Sequence, residues 1–133
     1  MRKRTLYMNP LETLIFKSAM TTLIEDTTVK LSQICDKTMS TVWESFKTNC
    51  ELFRDSVRES SKGDNKHIVT VDYASLTTML IPALETELEM LNKEYTSPEF
   101  IDAEDNYKIK IYLTNEFLKR CSALPLVYRN ELN

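Results

Sequence analysis

The sequence predicts an all-α protein, and three observations carry that expectation. Gly63 is the sole glycine in 133 residues. Tight turns and phosphate-cradling loops use glycine for its positive φ, so strand-rich and nucleotide-binding folds are disfavoured. Apolar residues recur at steps of three and four over most of the chain, which is the spacing of one helix face. The single β-prone run, Ile68-Val69-Thr70-Val71, is too short to make a sheet by itself.

Composition narrows the classes of function. The length suits one domain, and 42% hydrophobic with 28% charged residues is ordinary for a globular chain. Cys35, Cys50 and Cys121 are odd in number and far apart, which predicts reduced thiols in a cytosolic or nuclear protein and no zinc site. No apolar run has the length of a signal peptide or of a membrane span of ~20 residues, so a soluble chain without membrane contact is expected. The net charge of −3 is unevenly spread. Residues 1–70 carry 11 Lys/Arg against 9 Asp/Glu, and residues 71–133 carry 6 against 11. This leaves the first half basic enough for a polyanion and the second half acidic.

Arg2-Lys3-Arg4 lies in a basic arm spanning residues 1–8. Asn9-Pro10 reads as the cap and first turn of a helix that continues through Leu11, Leu14, Ile15, Met20 and Leu23. Glu25-Asp26-Thr27-Thr28 interrupts the pattern and reads as a connecting loop. With Ser32 as N-cap, Cys35, Met39, Val42, Phe46, Cys50, Phe53 and Val57 then form one unbroken helical seam. A helix over residues 32–61 would be about 45 Å long. Two short neighbours cannot cover such a seam, flanked as it is by Ile34, Trp43 and Leu52, so a second chain is expected.

Ser60 to Asn65 is the strong turn cluster of the chain, and the β-prone run follows it. Asp72 then caps a third helix through Leu76, Met79, Leu80, Ala83 and Leu84, with Pro82 expected to kink or restart it. Residues 94–106 read as an acidic linker in which Ser97-Pro98 suits the start of a short helix. A fourth pattern runs through Tyr107, Ile111, Tyr112, Phe117, Leu118 and Cys121, and Pro125 starts a short terminal segment.

Short helix, very long helix, β-prone loop and short helix is the element order of a histone fold, over residues 9–93. Val69-Thr70-Val71-Asp72-Tyr73-Ala74 looks like that fold's step from second loop to third helix. Leu118-Lys119-Arg120 and Leu124-Pro125-Leu126-Val127-Tyr128-Arg129 resemble the C-terminal part of the centromere protein T family, in which two extra helices follow the histone fold. The likeness covers residues 9–132 in topology and residues 124–129 at motif level, with residues 94–133 matching the extension. That family carries a long N-terminal tail ahead of the fold, so this chain reads as part of a longer protein.

The resemblance implies a kinetochore subunit of the nucleus, seated on the centromere of the chromosome. It would pair with a small histone-fold partner similar to centromere protein W, contact DNA without sequence specificity and dock other inner-kinetochore subunits. Arg2, Lys3, Arg4, Lys30, Lys62 and Lys66 are the expected DNA contacts, since a histone fold brings its loops together into one cationic edge. Met39, Val42, Trp43, Phe46, Phe53, Val57, Leu76 and Leu80 are the expected pairing residues, and Tyr112, Phe117 and Tyr128 the docking residues of the extension.

No catalytic residue, metal ligand or cofactor is expected. His67 is the only histidine and reads as a loop residue, and Glu85, Glu87, Glu89 and Glu94 read as a solvated helix face. Two other functions fit the pattern. One is a histone-fold subunit of a transcription or chromatin-remodelling complex; the other is a monomeric helical-bundle adaptor, such as a viral apoptosis regulator.

Overall fold

The computed structural model describes residues 3–95 and 104–131. Strand β1 (Arg4–Met8) leads into helix α1 (Pro10–Gln33), which is followed by helix α2 (Lys37–Asp55). Two further strands, β2 (Arg58–Glu59) and β3 (His67–Val71), precede a long helical stretch. That stretch comprises α3 (Tyr73–Ser75), a π-helical turn (Leu76–Leu80) and α4 (Ile81–Tyr95). Helix α5 (Glu104–Glu131) closes the described chain. The protein is thus mostly helical, with one small antiparallel sheet in the order β1-β3-β2.

Helix α1 is the centre of the packing, lying against α2, α4 and α5. It starts where the sequence places it. The Asn9 side chain accepts from the Glu12 N–H at 2.8 Å and Glu12 Oε1 accepts from the Asn9 N–H at 3.0 Å, a reciprocal cap with Pro10 in the first turn. The expected loop at residues 25–28 is absent, because the helix runs through it. The Thr27 and Thr28 hydroxyls donate to the Leu23 and Ile24 carbonyls one turn back, and Thr27 is buried. Polar β-branched residues are tolerated in a helix when their hydroxyls find such carbonyls.

The expected 30-residue helix is broken as well. Ser32 is not a cap: it sits in the last turn of α1 and its Oγ donates to the Val29 carbonyl at 2.6 Å. Ile34 is extended, at φ −89° and ψ 124°, and the Asp36 carboxylate accepts from the Met39 N–H at 2.9 Å to start α2. Folding back at residues 34–36 lets α1 itself cover the lower half of the seam. Phe16 and Phe53 meet edge to face with ring centres 5.3 Å apart, and Cys50 is buried beside them in the same core.

The basic arm of residues 1–8 is also corrected, since Arg4–Met8 pairs with β3 in the register Leu6 opposite Val69 and Arg4 opposite Val71. Alternation then sends Leu6, Met8, Val69 and Val71 into the core. The β-prone run is the middle strand of a sheet because β1, distant in sequence, and the short neighbouring strand β2 flank it. Between β2 and β3 the chain turns through Gly63 and Asn65, both at positive φ.

Asp72 caps the next helix as expected, accepting from the Ser75 N–H at 2.8 Å. At Pro82 the α-helix starts again, since α4 begins at Ile81 directly after the π-helical turn. Pro82 lacks the N–H that an α-helix would donate to Thr78, and the turn ahead of it widens so that Ile81 donates to Leu76 five residues back. Pro125, by contrast, lies inside α5 and starts no new segment, so residues 104–131 form one helix where two were expected. Phe117 and Cys121 of α5 belong to the same core as α1, α2 and the sheet. The expected short helix at Ser97-Pro98 lies outside the described residues.

Two predictions test this packing. Phe53→Ala should cost about 3–5 kcal/mol in urea unfolding of the chain, as for other buried phenylalanines, whereas Val42→Ala should stay within about 0.5 kcal/mol. Burial, with Glu51 adding to it, pushes the Cys50 thiol up to about 11, and burial pushes Cys121 up to about 12, from an ordinary 9.0. Only the exposed Cys35 should therefore react with a thiol reagent in the native state near pH 8. The folded state keeps protons that the unfolded chain releases above pH 9, so stability should fall as pH climbs from about 9 to about 12.

Candidate interaction site

Two helices of unequal cover make the most unusual surface of the molecule. The seam of α2 begins at its buried end with Phe53 and Cys50 and continues to Phe46, which is half-buried against the core. Beyond that point the cover ends. From Thr28 to Asn49 no residue is buried, although this stretch includes the last turn of α1, the reversal and more than half of α2. These residues form a two-helix arm held together along its own inner line. Leu31, Ile34, Trp43 and Phe46 are half-buried there. Trp43 and Phe46 meet edge to face at 5.6 Å, and the Lys30 ammonium sits 4.2 Å above the Trp43 ring.

The outer line of the arm has no cover. Met39 is 49% exposed and Val42 57% exposed, one helical turn apart. Thr38, Val42, Ser45, Asn49 and Leu52 all lie exposed at steps of four and three, a stripe about 21 Å long with no charge in it. The charged residues of α2, Lys37, Glu44, Lys47, Glu51, Arg54 and Asp55, fall at other positions of the helix wheel. A helix exposed to water alone would not be expected to segregate its charges in this way. This second stripe was present in the sequence, overshadowed by the more apolar seam beside it.

The expected pairing residues therefore divide. Met39, Val42, Trp43 and Phe46 belong to the arm. Phe53, Leu76 and Leu80 are buried core residues, and Val57 packs against that core, because the chain folds back and covers them itself. Of the expected docking residues, Tyr112 is exposed, whereas Phe117 is buried in the same core as Cys121. The Tyr128 side chain lies outside the described part.

The expected cationic edge does not assemble. Lys30 stands on the arm, twenty residues along α1 from Pro10, or about 30 Å. Lys62 and Lys66 lie in the loop between β2 and β3, at the opposite end of α1, where Lys62 covers the Tyr7 ring at 5.0 Å. Helix α1 is long and continuous, so it separates the two groups rather than joining them. Arg4 stands in the edge strand β1 and Lys3 just before it; Arg2 lies outside the described residues. Lys62 and Lys66 thus share one loop, while Arg4 stands at the other end of β3, opposite Val71, with Lys3 beside Asn49.

A further ion pair fixes the start of α1. Arg120 of α5 donates to Glu12 Oε2 at 2.9 Å and to the Tyr7 carbonyl at 2.8 Å, so one guanidinium holds α1, β1 and α5 together. Among the described residues no three His, Cys, Asp or Glu side chains are grouped so as to hold a metal ion. No described helix is long and apolar enough to cross a membrane. Comparison with protein-family models, with curated proteins and with solved structures finds no match to this chain.

Proposed function

We propose that this chain is a non-catalytic assembly subunit that receives an amphipathic helix of a partner protein along its two-helix arm. The observation that carries this reading is the stretch from Thr28 to Asn49, which has an apolar inner line, an uncharged line beside it with Val42 exposed, and no buried residue. An arm of this composition gains little from standing in water, and exposed apolar surface of this kind marks docking sites. The uncharged stripe specifies the partner: a helix with small or aliphatic residues every three to four positions and charges kept to its far side.

Photo-crosslinking tests this. A crosslinking residue at Met39 or Val42 should give discrete adducts in the native cell, and one at Glu44 should not. Equal labelling from all three positions, or none, would leave the arm without a partner.

A finer reading is a histone-fold subunit of the inner kinetochore, paired with a small partner similar to centromere protein W and contacting DNA in the nucleus. The segment Leu124 to Arg129 supports it, as does the pairing of Lys62 and Lys66 on one loop. The helix lengths weigh against it: α1 has 24 residues and α2 has 19, where a histone fold needs a short first helix and a long second one. In this reading affinity for duplex DNA should be weak and fall steeply with salt. Neutralising Lys62 and Lys66 together should reduce the slope of log affinity against log salt by up to about 1.8. An unchanged slope would remove this loop from phosphate contact and the reading with it.

A further inference from the structure

We propose that the helix received by the arm is α2 of a second copy of this chain, packed antiparallel across a two-fold axis at Ser45. The inference rests on the docking reading of the arm and names its occupant. That reading asks for a helix with small or aliphatic residues every three to four positions and charges on its far side. Helix α2 is itself such a helix. Thr38, Val42, Ser45, Asn49 and Leu52 make its uncharged line, and Val42 and Leu52 are 57% and 65% exposed. A surface that meets its own specification is suited to an isologous contact, in which one patch faces its copy.

The spacing fixes the centre. Thr38 and Leu52 stand seven residues to either side of Ser45. Turning a second α2 about Ser45 sets Thr38 opposite Leu52 of the copy and Val42 opposite Asn49 of the copy. Each exposed aliphatic side chain gains cover and meets no charge. Ser45 meets itself at the crossing, where a short side chain lets the helix axes approach.

The charges fix the direction. Lys37 is the first residue of α2 and Asp55 the last, eighteen residues or five turns apart, so both lie on one flank of the uncharged line. In the antiparallel pair the two flanks come together, with Lys37 of each chain near Asp55 of the other. A parallel pair would set Lys37 beside Lys37 and Asp55 beside Asp55. Lys37 has no ion pair among the described residues, and Asp55, which holds Arg54 through Oδ1, keeps its side chain 67% exposed. Antiparallel helix dipoles favour the same arrangement. The contact strip, about 21 Å by about 10 Å, is smaller than the ~800 Å² per partner of a standard interface, so the dimer is weak and forms at high concentration.

Equilibrium sedimentation of the full chain should give the mass of one chain near about 10 μM and approach that of two by about 1 mM. Val42→Glu, at an exposed position, should abolish this rise with Tm unchanged. Lys37→Glu and Asp55→Lys should each weaken association about 5-fold, since either sets like charges at both ends of the contact. Neither should unsettle α2, because each places a charge where the helix dipole favours it. Mixing these two variants should restore the original affinity, since the mixed pair again has opposite charges at both ends. A loss of folding could not be rescued in this way. A single-chain mass at the highest concentration would overturn the proposal, and so would a mixture that associates no better than either variant alone. If the pure chain stays single while a crosslinker at Val42 captures a different protein in the cell, the occupant is another helix: this proposal falls and the docking reading stands. No adduct in either setting would remove both.

Discussion

The reversal of the chain at Ile34–Asp36 decides the rest of the molecule. One extended residue and one carboxylate on the Met39 N–H turn what could have been a single long helix into an antiparallel pair. The seam of α2 is thereby divided. Its lower half, Cys50 and Phe53, is buried against Phe16 of the same chain, and its upper half is left on the arm. An uninterrupted helix would have needed a second chain to bury any of it. With the reversal, the chain has a core of its own and the arm is the part left without cover.

The opposite end is organised by Glu12. One of its oxygens completes the cap of α1 and the other receives Arg120 from α5, which also reaches the Tyr7 carbonyl on β1. Groups 113 residues apart in sequence thus converge on the first turn of the central helix. The arrangement holds β1 with Leu6 and Met8 on the core side, as are Val69 and Val71 of β3, and it occupies a backbone acceptor that the edge strand would otherwise present to another chain. Burial of Phe117 and Cys121 follows from the same anchoring, since Arg120 lies between them in the sequence.

These two ends explain why the surface chemistry is distributed as it is. The arm carries the uncharged, partly apolar lines, and Lys62 and Lys66 lie beyond the other end of α1, with about 30 Å of helix between Lys30 and Pro10.

Much of this was legible in the residues alone. Asn9-Pro10 with Glu12, Asp72 with Ser75, the turn at Gly63 and the helical spacing through Cys121 each mark local structure, because caps, turns and periodicity act over a few residues. The uncharged stripe from Thr38 to Leu52 could also have been read from its spacing. What the sequence could not determine was everything that depends on a distant partner. Whether Arg4–Met8 is an arm or a strand depends on β3, and whether Phe53, Leu80 and Phe117 face a neighbour chain or their own core depends on the fold-back at residue 34. Periodicity names a buried face without saying what buries it. That choice belongs to tertiary packing, where a break of three residues between two helices outweighs an unbroken apolar pattern of twenty.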